Sequence, residues 1–126
     1  MPLEAGLGRS DSFVAEGQLL TTVGGTIGVA VLSTPGMIGM MERTAAMLAL
    51  EQLDEGFATV GFEVCIKHVA GAVEGASLTA SASLREVVDG RKLRFDVQVA
   101  EGDRVIGVGT HERRVIDVRA HAEAAG

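Results

Sequence analysis

The chain has one cysteine, no tryptophan, no tyrosine and only four aromatic residues, all of them phenylalanine. A lone Cys65 excludes an internal disulfide and a thiolate metal cluster. It also sets the expectation of a reducing, cytoplasmic setting. Basic residues are scarce: 11 Lys and Arg stand against 17 Asp and Glu, a net charge of −6. Nucleic-acid binders carry a basic face, so this balance argues against that class. It leaves room for a small polyanion gripped by a few local cations. The N-terminus lacks the basic start and apolar run of a secretion signal. The longest uncharged run, from Gly17 to Met41, is interrupted by Gly, Thr and Pro. It does not read as a membrane span of about 20 apolar residues.

What is present is small and apolar. With 47% apolar residues over 126 positions, the composition suits one domain with its own core, read here as residues 1–118, followed by a frayed tail over 119–126. No internal repeat is visible. From Ala76 to Val88, the even positions Ala76, Leu78, Ala80, Ala82, Leu84, Glu86 and Val88 alternate with Ser77, Thr79, Ser81, Ser83, Arg85 and Val87, the period-two pattern of a strand with one buried face. Asp89-Gly90 supplies a hairpin turn. Leu93, Phe95, Val97 and Val99 then resume the inward phase, and Glu101-Gly102-Asp103 turns the chain into a third strand from Val105 to Val118. Upstream, Phe57 to His68 alternates as well, with Val60, Phe62, Val64, Ile66 and His68 expected on one face. Ser12 to Leu20 is a weaker strand candidate, and Gly24 to Leu32 has no clear assignment.

One segment reads as a helix, from Gly36 to about Leu53, with Thr34 at the N-cap and Pro35 at the first helical position. One apolar helix and an antiparallel meander make an α+β fold, the helix packed on the concave sheet. So small a sheet has open edges, which a second copy can cover.

Glu42 is the anomaly in that helix, a lone acid among Met, Ile, Ala and Leu. A carboxylate there is either paired with a cation such as Arg43 or Lys67, or kept for chemistry. Thr34 is either a plain cap or a hydroxyl in reserve. His68 closes a strand on its apolar face, as a satisfied rim residue or as an acid–base group. Together the three form a set used in acyl transfer. Yet eight helical residues give about 12 Å of rise, too far for Thr34 and Glu42 to touch within one regular helix. The G-x-S-x-G elbow is absent. Gly24-Gly-Thr-Ile-Gly28 lacks the lysine of a phosphate loop, and His68, His111 and His121 have no metal-ligand spacing.

Three blocks carry a resemblance: Thr34-x-Gly-Met-Ile-Gly-Met-Met-Glu42, Gly61-x-x-x-Cys-Ile-x-His68, and Gly109-Thr-His-Glu-Arg-x-Val-Ile116. Over about residues 30–118 the chain resembles the hotdog-fold thioesterases, and among them it is similar to the fluoroacetyl-CoA thioesterases. The resemblance implies a hotdog fold, one helix wrapped by an antiparallel sheet of about five strands. It implies hydrolysis of a short or small acyl-CoA thioester, with Thr34, Glu42 and His68 as the catalytic set. Gly61 would offer its backbone N–H near the thioester carbonyl. No cofactor or metal is implied. The family pattern also implies a homodimer or a dimer of dimers, with sites at the subunit interface and Gly61 of one subunit facing Glu42 of the other. For the phosphates of CoA, the candidate cations are Arg113 and Arg114, with Lys67 and Arg91 beside them. The family's phenylalanine lid has no counterpart here, since Thr22 to Ser33 contains no aromatic residue. Two other classes stay open: a non-catalytic hotdog dimer binding an acyl-CoA or apolar ligand, and a hotdog enoyl hydratase or dehydratase.

Overall fold

The structure, a computed structural model, describes residues 3–125. Seven strands and two α-helices follow in the order β1 (Gly8–Val14), β2 (Leu20–Thr21), β3 (Val31–Leu32), α1 (Thr34–Leu50), β4 (Phe57–His68), β5 (Ser77–Val88), β6 (Lys92–Glu101), β7 (Arg104–Asp117) and α2 (Val118–Ala125), with a 3₁₀ turn at Gly17–Leu19. Five strands make one antiparallel sheet in the order β1-β5-β6-β7-β4, and β2 pairs with β3 as a small separate ladder.

The meander forms as its alternation requires. Ala80, Ala82 and Leu84 of β5 lie opposite Val99, Val97 and Phe95 of β6, with Leu78 and Leu93 buried on the same face. The turn between them puts Asp89 and Gly90 at φ 57° and 64°, the left-handed pair that matches strand twist. Against this floor lies α1, whose buried residues Met37, Met40, Met41, Thr44, Ala45, Leu48 and Ala49 recur at intervals of three and four. Three methionines on this stripe suit an irregular gap between a helix and a curved sheet.

Four details differ from the sequence expectations. Ser33, not Thr34, caps α1: its Oγ accepts from the Gly36 amide at 2.9 Å, which leaves Thr34 as the first helical residue with its hydroxyl free. The first strand begins at Gly8 because Arg9 and Asp11 occupy its inner phase. Asp11 accepts from Arg9 and from the buried Thr44 of α1 (2.9 Å), and Arg9 also pairs with Glu51. Their mutual pairing makes charged side chains tolerable where the apolar pattern expects none.

The third difference lies in β4. Its register against β7 shifts between Gly61 and Glu63, so Phe62 is the extra residue of a bulge. Val60 lies opposite Arg114, while Val64, Ile66 and His68 lie opposite His111, Gly109 and Gly107. The expected single face Val60-Phe62-Val64-Ile66-His68 is therefore split, with Val60 and Phe62 turned to the outer side. Finally, the expected frayed tail is helical over Val118–Ala125: Asp117 accepts from the amides of Arg119 (3.0 Å) and Ala120 (3.2 Å), an N-cap that starts an exposed, Ala-rich helix. Gly126 lies outside the described residues. Among the described residues, no helix is long and apolar enough to cross a membrane.

Candidate active site

Thr34 and His68 form one cluster at the end of β4, and Glu42, Gly61 and Arg113 form a second one farther back along that strand. The first joins the start of α1 to the end of β4, where Thr34 Oγ1 lies 2.8 Å from His68 Nδ1. Ser33 makes this contact available by taking over the capping. The other ring nitrogen, His68 Nε2, is buried and meets no partner among the described residues. In the tautomer in which the threonine hydroxyl donates to Nδ1, Nε2 carries the proton.

The second cluster surrounds Glu42. Its carboxylate rests on Gly61: a Cβ built there would lie 2.6 Å from Glu42 Oε2. The glycine is thus the space the carboxylate fills. Arg113 Nη1 approaches the same oxygen at 3.5 Å, a distance at which charge attraction outweighs hydrogen bonding. The rest of the guanidinium is held firmly, with Nε donating to Thr59 Oγ1 at 2.7 Å and Nη2 to the Thr59 carbonyl at 2.9 Å. Arg113 Nη1 also meets His111 Nε2 at 3.2 Å. Burial pushes the Arg113 pKa down, and the Glu42 charge opposes that shift.

These contacts revise two expectations. Arg113 was a candidate cation for the substrate's phosphates at the surface. Its side chain is instead 8% exposed and turned inward against Glu42. The resemblance set Glu42 against the Gly61 of a partner, yet Glu42, 41% exposed, meets Gly61 of its own chain. The helix carrying it is unbroken from Thr34 to Leu50, so about 12 Å of rise still separates Thr34 from Glu42. Arg114 points to the outer side, where it pairs with Glu112 at 2.8 Å and its guanidinium lies 3.7 Å from the Phe62 ring centre. Cation–π contact and ion pair together hold that ring over the outer face.

His111 is the member of the cluster that the sequence reading passed over. The signal was its spacing to Arg113: residues i and i+2 of a strand share a face, so two ionisable side chains enter the core side together. Among the described residues, no group of three or more His, Cys, Asp or Glu is placed to hold a metal ion. An open hollow of about 300 Å³ lies directly on the Glu42 cluster, lined by Glu42, Gly61, Phe62, Glu63 and Val64.

Comparison with known proteins gives the family and the fold. The model of the fluoroacetyl-CoA-specific thioesterase family matches residues 14–119. This chain belongs to that family. A fluoroacetyl-CoA thioesterase of Streptantibioticus cattleyicolor is 37% identical over 86 residues, which are 68% of this chain and 61% of that protein; the match therefore spans less than two thirds of that relative's length. A solved structure of the fluoroacetyl-CoA thioesterase superposes with a TM-score of 0.88 at 26% identity, covering 99% of this chain and 96% of that one. A thioesterase superfamily member from Thermus thermophilus shares the fold at a TM-score of 0.85 and 24% identity, over 98% of this chain and 90% of that one. The hotdog architecture expected from the three sequence blocks is the architecture found.

Proposed function

We propose that this protein hydrolyses a small acyl-CoA thioester, with Glu42, His68 and Thr34 as the working groups. The observation that carries this reading is the Thr34–His68 contact, which leaves one polar ring nitrogen free, matched by a carboxylate held over Gly61. In the reaction, Glu42 removes a proton from water, and the water oxygen bonds to the acyl carbon. Charge that develops on the carbonyl oxygen is met by the His68 Nε2 proton. The C–S bond then breaks, and the CoA sulfur leaves as thiolate or collects the proton that Glu42 took up. Thr34 holds the imidazole in the tautomer that donates.

A second copy of the chain completes the site in this reading. β4 is a sheet edge with Phe62 60% and Val64 38% exposed, an apolar edge of the kind that pairs with another strand. Antiparallel pairing of β4 with its copy about a two-fold axis at Cys65 sets Val64 opposite Ile66 and Glu63 opposite Lys67. Once the Phe62 bulge is passed, Gly61 falls opposite His68. Every facing pair then shares a side of the sheet, as opposed residues must. The Glu42 cluster of one chain meets the Thr34–His68 cluster of the other. Cys65 is exposed and lies on the axis, where opposed Cα atoms are about 4.5–5.5 Å apart, within disulfide reach. Mild oxidation should give a covalent dimer through Cys65. A purely monomeric product, with Cys65 shown to be reactive, would contradict this register.

The acyl group is small but not narrowly selected. The loop from Thr22 to Ala30 carries exposed Val23, Ile27 and Val29 and no aromatic side chain. Thiol release measured across a panel of acyl-CoAs should show turnover of both acetyl-CoA and fluoroacetyl-CoA. Their kcat/KM values should differ by less than about a hundredfold, ~2.7 kcal/mol of transition-state discrimination. A larger preference would mean that another part of the chain does the work of the aromatic lid. Acyl-CoA binding without thiol release would instead support the non-catalytic alternative.

A further inference from the structure

We propose that His111 is a positioning residue that keeps Arg113 directed at the Glu42 carboxylate, acting as a neutral imidazole with its proton on Nδ1. The inference rests on the proposed role of Glu42, and it concerns a side chain that does not reach the reacting atoms.

The hydrogen-bond geometry leaves one state for the ring. His111 Nδ1 lies 2.8 Å from the main-chain carbonyl of Glu63. A carbonyl only accepts, so Nδ1 carries a hydrogen. The opposite nitrogen, Nε2, lies 3.2 Å from Arg113 Nη1, and a guanidinium only donates, so Nε2 must present a lone pair. A protonated ring would set N–H against N–H and place two positive charges a hydrogen bond apart. The Phe95 ring stacks on the imidazole with centres 6.3 Å apart, and His111 is only 2% exposed, so the ring cannot turn away into water.

The groups around it pull in both directions, and the net effect favours the neutral ring. Arg113 on β7 disfavours a second cation, and Glu42 on α1 partly offsets that effect. Burial is the largest influence and lowers the His111 pKa below its ordinary 6.5, ahead of the Glu63 hydrogen bond, which raises it. Beside the ring, Glu63 of β4, Arg85 of β5, and Arg94 of β6 with Glu112 of β7 line a pocket of about 90 Å³. Arg94 and Glu112 are already paired with each other at 3.1 Å.

The consequence falls on Glu42. Arg113 makes two short bonds to Thr59 and only a 3.5 Å approach to the carboxylate. Nη1 is the one nitrogen aimed at both His111 and Glu42. Without an acceptor at Nε2, that nitrogen loses the shorter of its two restraints. The Thr59 bonds still hold the other side of the fork, so what the carboxylate loses is the aim of Nη1, not the charge itself.

The test combines a spectroscopic readout on the unaltered protein with two variants. Nitrogen-resolved NMR of the histidine rings should show His111 neutral, protonated on Nδ1, and still neutral at pH 6.5. His111→Gln retains an acceptor near the Nε2 position that cannot be charged, and should keep kcat within about threefold. His111→Leu should lower kcat by about tenfold or more with KM nearly unchanged, as expected when positioning rather than binding is lost. An Nε2-protonated or charged ring at pH 7 would overturn the proposal, as would a folded His111→Leu enzyme with wild-type kcat, or a Gln variant as impaired as Leu. If His111→Leu does not fold, the ring tautomer and the Gln variant decide. Glu42→Gln serves as the control: an inactive Glu42→Gln beside a wild-type-like His111→Leu defeats this inference alone, whereas an active Glu42→Gln defeats the reading on which it rests.

Discussion

Replacing Glu42 by glutamine should lower kcat for thioester hydrolysis by roughly a hundredfold or more, the usual contribution of a positioned general base. The amide is nearly the same size and still fits over Gly61, but it cannot take a proton from water. His68→Ala should produce a loss of the same order, because the one ring nitrogen free to donate disappears with it. Neither change removes a core side chain, so both variants should keep the wild-type thermal transition to within a few degrees. Steady-state turnover of acetyl-CoA, followed by thiol release, reads the effect. Wild-type kcat in either variant would remove that residue from the mechanism.

Two glycines should separate fold from activity. A Cβ on Gly109 would lie 2.2 Å from the Cys65 carbonyl oxygen and 2.6 Å from Ile66 Cα, both main-chain atoms of the adjacent strand. That strand cannot yield without losing its pairing with β7, so Gly109→Ala should destabilise the protein by at least about 2 kcal/mol. Gly61→Ala meets a different neighbour at a similar distance, the Glu42 Oε2 at 2.6 Å, which is the end of a flexible side chain. The carboxylate can swing aside, so the fold should survive while kcat falls by about tenfold or more. Denaturant titration and turnover on both variants check the contrast. A stable, ordered Gly109→Ala protein would show that β4 and β7 are not so closely apposed.

The strands of the meander were legible over the stretches whose inner face is apolar, Leu78 to Leu84 and Leu93 to Val99; beyond Leu84 the register of β5 shifts, which puts Val87 rather than Glu86 or Val88 opposite Leu93. Elsewhere the code is less direct. Arg9 and Asp11 hid the inner phase of β1 because their mutual pairing, not hydrophobicity, makes burial tolerable. A bulge is one extra residue, and strict alternation across Phe62 gave no sign that the phase inverts there. Capping could be read either way in Ser33-Thr34-Pro35, and the choice of Ser33 is what frees the Thr34 hydroxyl. Of the site, Thr34, Glu42 and His68 stood out as individual residues, one hydroxyl and two ionisable groups in apolar surroundings. Their division into two clusters did not, because the Thr34–His68 contact spans 34 residues and the Arg113–Glu42 contact spans 71. Arg113 and Arg114 are adjacent in sequence and equal in composition. Only the strand's alternation sends one to Glu42 and the other to Phe62.

In the proposed dimer, each site joins the Glu42 cluster of one chain to the Thr34–His68 cluster of another. Subunit exchange between two inactive proteins, Glu42→Gln and His68→Ala, tests it most directly. Because the defects lie in opposite halves of a shared site, a mixed dimer holds one site with both defects and one with neither. Random exchange in equal amounts should restore about a quarter of wild-type activity. Glu42→Gln mixed with Gly61→Val should restore nothing, since both defects lie in the same half. If Glu42→Gln and His68→Ala exchange, as seen by native mass spectrometry, and no activity returns, each site is built within one chain and the shared-site account is wrong.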